Sequence, residues 1–183
     1  MISDVHISHA QWLMASGQKS GESLQERITE LFTVLRAPLF RYVVVLLRDA
    51  SEAEDVTQEC FFRLFIELRT GGSVNDVKAW LFRVGHNLAV DRHRQHHDDT
   101  LDGAARQIAD GGPSSEEEML HQERLEMVRA AVERLSPQQR QCLHLRTEGF
   151  RYREIAEILN VSESTVYENL RRGLTRLIKD FKP

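Results

Sequence analysis

An all-α fold, two small helical bundles joined by a flexible acidic linker, is what this sequence predicts, and three observations lead to it. Apolar residues recur at three- and four-residue steps through both halves, with no strand-like alternation. Ten glycines and four prolines are few for 183 residues, which favours helices over a turn-rich β-sandwich. Residues 98–118 break the pattern: Gly103, Gly111, Gly112, Pro113, Ser114 and Ser115 fall there without an apolar period, and seven acids face Arg106 alone. The overall charge of −4 hides this distribution, because residues 119–183 by themselves carry twelve basic and nine acidic side chains. The domain reading is an N-terminal extension of unknown role over 1–22, a helical unit over 23–97, the linker over 98–118 and a second helical unit over 119–183.

Composition narrows the class. With 41% apolar, 28% charged and 7% aromatic residues the chain reads as soluble and globular. Its longest strongly apolar stretch, Tyr42 to Leu47, is far short of the roughly 20 residues that a membrane span needs. Ile2, Ser3 and Asp4 do not open a basic-then-apolar signal segment. Cys60 and Cys142 lie far apart inside helical patterns, as core thiols of a reducing compartment do. A cytoplasmic protein without membrane insertion is expected.

The elements follow in order. Leu24–Leu35 is amphipathic, and Pro38 sits where the first turn of a new helix would place it, ahead of Leu39, Val43, Leu46 and Leu47. Ser51 with Glu54 forms a capping-box pattern for the next helix, whose inner stripe is Val56, Cys60, Leu64 and Leu68 and whose end is Gly71-Gly72. Asn75 can cap a third helix with its stripe at Val77, Leu81, Val84 and Leu88. Beyond the linker start, Ser115 with Glu118 repeats the box, and Leu125, Val128, Val132 and Leu135 form a narrow seam. Ser136-Pro137 with Gln139 starts another helix and Gly149 stops it. Tyr152–Leu159, a break at Asn160 and a helix from about Glu163 to Asp180 complete the chain.

Four surfaces could carry function. The last two helices fit a helix-turn-helix: Ala156 is small where they must approach, Asn160 tolerates the left-handed turn, and Ser162 caps the second helix. Val166, Leu170, Leu174 and Leu177 bury one side of that helix, leaving Ser164, Thr165, Tyr167, Glu168, Arg171 and Arg172 to face the major groove; an αα-hairpin with a solvated face is the competing reading. On the third helix Trp80, Arg83, His86, Asn87, Val90, Arg94 and His97 cluster opposite the apolar stripe. Rings and cations mixed in this way suit single-stranded nucleic acid, or equally a solvated charged face. Asp55, Gln58, Glu59 and Phe62 share one patch of the second helix, an acidic rim with a large aromatic, as in a protein-binding hot spot or a solvated face with Phe62 half-buried. His93, His96 and His97 have a spacing that could take zinc, but no further ligand set is evident, so neither a metal nor a cofactor is expected. No nucleophile–base pair, P-loop or zinc-protease motif is present, so the reading is not an enzyme.

Three stretches together resemble one family. EAEDVTQECFFRLF (Glu52–Phe65) and VKAWLFRVGHNLAVDRHR (Val77–Arg94) look like the second-region motifs of the sigma-70 family, specifically its extracytoplasmic-function (ECF) sigma factors. LSPQQRQCLHLRTEGFRYREIAEILNVSESTVYENLRRGLTRL (Leu135–Leu177) looks like the fourth region. Taken over Leu39–His97 and Leu135–Leu177, the resemblance covers about 100 of the 183 residues. It implies a sigma factor that binds core RNA polymerase and opens promoters. Asp55, Gln58, Glu59 and Phe62 would dock on the clamp helices of the largest subunit. Arg69, Asn75, Trp80, Arg83, His86, Asn87 and Arg94 would bind the −10 element as a single strand. Ser162, Ser164, Thr165, Tyr167, Glu168, Arg171 and Arg172 would read the −35 element as duplex. The acidic linker would thread the nucleic-acid channel, and an anti-sigma factor is a further partner that the family implies.

The sequence departs from the family pattern at three places: Arg151 stands where a capping Ser or Thr is usual, Tyr167-Glu168-Asn169 replaces a Lys-Ser-Arg run, and Gly85-His86 replaces an Ala-Arg pair, which puts a pH-sensitive charge on the −10 face. Two alternatives remain at this point. A conventional helix-turn-helix regulator would bind duplex operators without polymerase, and a helical adaptor would bind proteins only.

Overall fold

The computed structural model describes residues 23–99 and 116–181. Seven helices and no strand are found among them: α1 Leu24–Leu47, α2 Ala50–Arg69, α3 Val77–Asp99, α4 Glu116–Glu133, α5 Pro137–Thr147, α6 Tyr152–Leu159 and α7 Glu163–Asp180. Helices α1–α3 pack into one unit and α4–α7 into the other. The expected linker 98–118 lies outside the described residues except at its ends, which are helical: 98–99 close α3 and 116–118 open α4. The Ser115–Glu118 box and the side chains of His96 and His97 also fall outside them.

In the first unit the expected break at Pro38 does not occur. One 24-residue helix runs through it. Proline in a helix interior forfeits a hydrogen bond and crowds the preceding turn, at roughly 3 kcal/mol. Burial of Leu31, Leu39, Tyr42 and Val43 on a single continuous stripe offsets that cost, whereas two shorter helices would splay the stripe apart. Ser23 and Glu26 close a capping box at its start, and Arg48 ends it in the left-handed conformation, φ 58°.

Two caps differ from expectation by one or two residues. Asp49, rather than Ser51, accepts the amide of Glu52 at the start of α2. Asp76, rather than Asn75, accepts the amide of Ala79 at the start of α3. In both cases a carboxylate stands where an amide or hydroxyl was expected, and its charge favours the positive end of the helix. Gly71, at φ +85°, does end α2. Gly85 lies where α3 crosses α1, and a Cβ there would come within 3.1 Å of Leu39 and 3.5 Å of Val43 and Cys60. Both cysteines are free and buried, and burial pushes the Cys60 thiol up to about 12 and the Cys142 thiol to about 11, as inert core groups.

The second unit follows its local signals closely. Ser136 and Gln139 form a reciprocal capping box, Gly149 stops the helix at φ +92° and Asn160 turns the chain at φ 52°. Removing the first of these caps, Ser136→Ala, is expected to lower the unfolding free energy by about 1 kcal/mol, read as a shifted urea midpoint with an unchanged slope. Arg151 supplies no side-chain cap, but its amide is still taken by Glu154 at 2.7 Å. The expected seam on α4 is only partly buried: Leu135 is covered, while Leu125 and Val128 are exposed. Leu174 on α7 is likewise exposed, because the buried stripe there runs through Val166, Leu170 and Gly173.

The two units share one core. Helices α1 and α3 meet α5 and α6, and Phe82 of α3 stacks edge-on against Phe150, ring centres 4.9 Å apart.

Candidate nucleic-acid and polymerase interface

The patch expected on α2 is assembled. Asp55 and Gln58 lie on its outer face and Phe62 is 60% exposed. These residues and Glu59 line an open hollow together with Arg63, Leu88 and Arg92. The three added residues were missed by sequence reasoning. Arg63 pairs with Glu59 at 2.7 Å and Arg92 reaches from α3 to Asp55 at 3.9 Å, so the rim carries both charge signs. Spacing within α2 finds Arg63, four residues from Glu59, but nothing in one dimension brings in Arg92. Gln58 is tied to Glu54, and the Arg36 guanidinium beside Glu54, with Gln58, holds that carboxyl below its usual range.

The α3 face is rearranged relative to expectation. Arg83, Asn87 and Arg94 are exposed on α3, as Asn75 is just before it and Arg69 at the end of α2, where its guanidinium lies over the Phe65 ring at 5.5 Å. Trp80 instead is partly buried against the hydrophobic core. His86 is 9% exposed and bonds the Tyr42 hydroxyl through Nδ1 at 3.0 Å. It therefore does not present charge on the outer face in this arrangement; burial holds its imidazole below the usual histidine range. The physical reason is that α3 buries two stripes. Gly85 faces α1 and α2 of its own unit, Phe82 meets Phe150 of the second, and His86 turns inward to the Tyr42 hydroxyl of α1.

Across that interface the second unit occupies cations of the first. Arg83 pairs with Glu157 of α6 at 3.1 Å. Arg41 pairs with the Glu148 carboxylate at 3.4 Å. Lys78 donates to the Glu148 carbonyl and lies over the Phe150 ring at 4.9 Å.

The recognition surface of α7 is exposed and internally braced. Ser162 accepts the Thr165 amide at 3.1 Å and also contacts the Ser164 and Thr165 hydroxyls at 2.8 Å each. Tyr167 projects into solvent. Glu168 accepts from Arg171 at 3.1 Å and from Arg172 at 3.2 Å; the Arg171 hydrogen bond lowers its carboxyl pKa. The Asn169 amide donates to its own helix at Thr165, 2.9 Å, so it is not directed outward.

Two family models match the chain, Sigma-70 region 2 over residues 31–98 and Sigma-70, region 4 over residues 125–177. The chain belongs to the sigma-70 family. Within that family it is an ECF-type sigma factor. It is 28% identical to the ECF RNA polymerase sigma factor SigM of Bacillus subtilis, over 82% of this chain and 92% of that protein. It is 27% identical to the ECF RNA polymerase sigma factor SigL of Mycobacterium tuberculosis, over 88% and 92%. Among solved structures, the sigma factor RpoE of Bartonella quintana, crystallised with the anti-sigma factor NepR, matches with a TM-score of 0.65 at 20% identity, covering 85% of this chain and 96% of that one. That likeness establishes the sigma-factor fold. In sigma-factor terms, α1–α3 are region 2, α5–α7 are the body of region 4, and the contacts of Arg41, Lys78 and Arg83 are region 2 cations held by region 4 groups.

Proposed function

We propose that this sigma factor docks on core RNA polymerase through Asp55, Gln58, Glu59 and Phe62, the patch meeting the clamp helices of the largest subunit. Region 4 reads the −35 element as duplex through Ser162, Ser164, Thr165, Tyr167, Glu168, Arg171 and Arg172. The face bearing Arg69, Asn75, Trp80, Arg83, Asn87 and Arg94 captures the opened −10 strand; His86, buried and held by Tyr42, is not part of that face. Strand opening costs a few kcal/mol for each base drawn from the stack, which stacking and phosphate contacts offset. The acidic segment 98–118 imitates a nucleic-acid strand in the polymerase channel. Polymerase supplies all catalysis, and the protein works in the cytoplasm beside it.

One observation carries this reading: region 2 and region 4 occur on one chain, the first with an exposed aromatic in a charged rim and the second with an exposed polar recognition helix. An anti-sigma factor is the further partner this assignment brings with it. Run-off transcription with purified core polymerase on the DNA upstream of the protein's own gene tests the function. A discrete start site that requires the protein is the expected result. Tight duplex binding by the protein alone, without a transcript, would instead make it a conventional helix-turn-helix regulator.

A further inference from the structure

The polar face of α7 carries a carboxylate at the place where a duplex would meet it. At about 3.6 residues per turn, Ser164, Glu168, Arg171 and Thr175 form one line opposite the buried Val166, Leu170 and Gly173. Glu168 stands in the middle of that line, half-exposed. A helix lying in the major groove turns its central line to the base edges and its flanks to the two backbones. Phosphate repels a carboxylate, so the bases are what Glu168 can meet.

Its neighbours narrow the choice of reader. The Ser164 hydroxyl is bonded to that of Ser162, Thr175 donates to the Arg171 carbonyl, and the Asn169 amide donates to the Thr165 carbonyl. The Glu168 carboxylate is satisfied off DNA by two guanidiniums. Arg171 donates to it from Nε at 3.4 Å and from Nη2 at 3.1 Å, and Arg172 from Nε at 3.2 Å. When the arginines turn to the duplex, the carboxylate needs a new donor.

We propose that Glu168 is the specificity-determining residue of α7 and selects a cytosine in the −35 element, with the paired guanine taken by one of its two arginines. The proposal rests on α7 being the −35 reader. In the major groove cytosine presents its N4 amino donor, and the guanine opposite presents N7 and O6 as acceptors. One C·G pair therefore offers a donor to the carboxylate and two acceptors to a guanidinium, so both halves of the broken ion pair are satisfied again. Thymine and guanine present acceptors to the groove, and adenine sets its N7 lone pair beside its amino group. Over any of these, Glu168 gives up its arginines and is left as an uncompensated charge beside a polyanion. Discrimination comes from that penalty as much as from the contact made.

Selection from promoter duplexes randomised across the −35 element, by polymerase carrying the full chain, tests this. Wild type, Glu168→Ala and Glu168→Gln are compared; the pairs removed are exposed and add little to folding. The wild type should favour cytosine at one position by about 10-fold or more. Glu168→Ala should lose that preference while the other positions keep theirs. Glu168→Gln should exchange it for adenine, whose N6 and N7 suit a carboxamide. The proposal is overturned if the variants select the same base as the wild type at every position, or if preference falls at all positions together, which is the mark of a misplaced helix. It is equally overturned if the wild type selects a sequence without such a cytosine. A wild type that selects no sequence at all would instead remove the −35 assignment, and this inference with it.

Discussion

Core polymerase immobilised on beads will fail to retain the Asp55→Arg/Phe62→Ala variant, while the variant keeps the wild-type helical signal and melting temperature. Phe62 is the most exposed aromatic of region 2, at 60%, so its truncation leaves no cavity in the fold. A central aromatic anchor is worth about 2 kcal/mol or more at an interface. Reversing Asp55 adds a repulsive or unpaired charge there and also removes the partner that Arg92 approaches at 3.9 Å. Together these should weaken association by at least about 100-fold, since each 1.4 kcal/mol is a factor of ten. Retention at wild-type levels would remove the patch from the polymerase interface. Phe62→Ala alone should give the intermediate value, which separates lost packing from reversed charge.

Arg171→Glu/Arg172→Glu should abolish −35 binding by the polymerase complex and leave retention on polymerase intact. Both guanidiniums now converge on Glu168. Off DNA they are screened by it, and on DNA they must trade that carboxylate for phosphate or guanine. Reversal would put three carboxylates on one turn of the helix, facing a polyanion. Each lost base contact costs about 1–3 kcal/mol, and each lost phosphate contact takes about 0.9 from the slope of log affinity against log salt. A fall of about 100-fold or more is expected, with a salt slope shallower by as much as about 2 if both arginines meet phosphate. An unchanged promoter footprint would show that α7 does not face the duplex. Such exposed pairs add little to folding, so the melting temperature should hardly move.

Much of the fold was legible because its signals are local. Ser136 with Gln139, Gly149, Asn160 and Ser162 act within a few residues of themselves, and each does in the fold what its chemistry suggests. The misread points are those where two residues one or two positions apart could serve and packing chooses between them, as at Asp49 against Ser51 and Asp76 against Asn75. Pro38 shows the same limit from the other side, since a continuous buried stripe outweighs a local helix-breaking rule.

The candidate site divides along that line too. The four expected residues of the α2 patch, and those of the α7 face, each lie on a single helix and fall together by spacing alone. The face of α3 does not, because periodicity finds one buried stripe and this helix has two. Phe82 and His86 lie off the Val77–Leu88 stripe; Phe82 is covered by Tyr42 and by Phe150 of region 4, and His86 is tied to Tyr42. Arg92, Glu148 and Glu157 likewise gain their roles from partners distant in the chain.

The stacking of Phe82 on Phe150 has a consequence for how the unbound protein is kept. Parting the two regions would wet part of both rings and the Tyr42 ring beside His144 of α5, and fully exposing a large apolar side chain costs roughly 1.5–3 kcal/mol. A separated molecule with nothing to cover these rings would be prone to self-association, like any chain that displays a contiguous greasy surface. Closure therefore acts as a solubility guard. It lets the cell hold a stock of unengaged molecules without clumping, and it leaves polymerase or another partner to cover the surface that opening reveals.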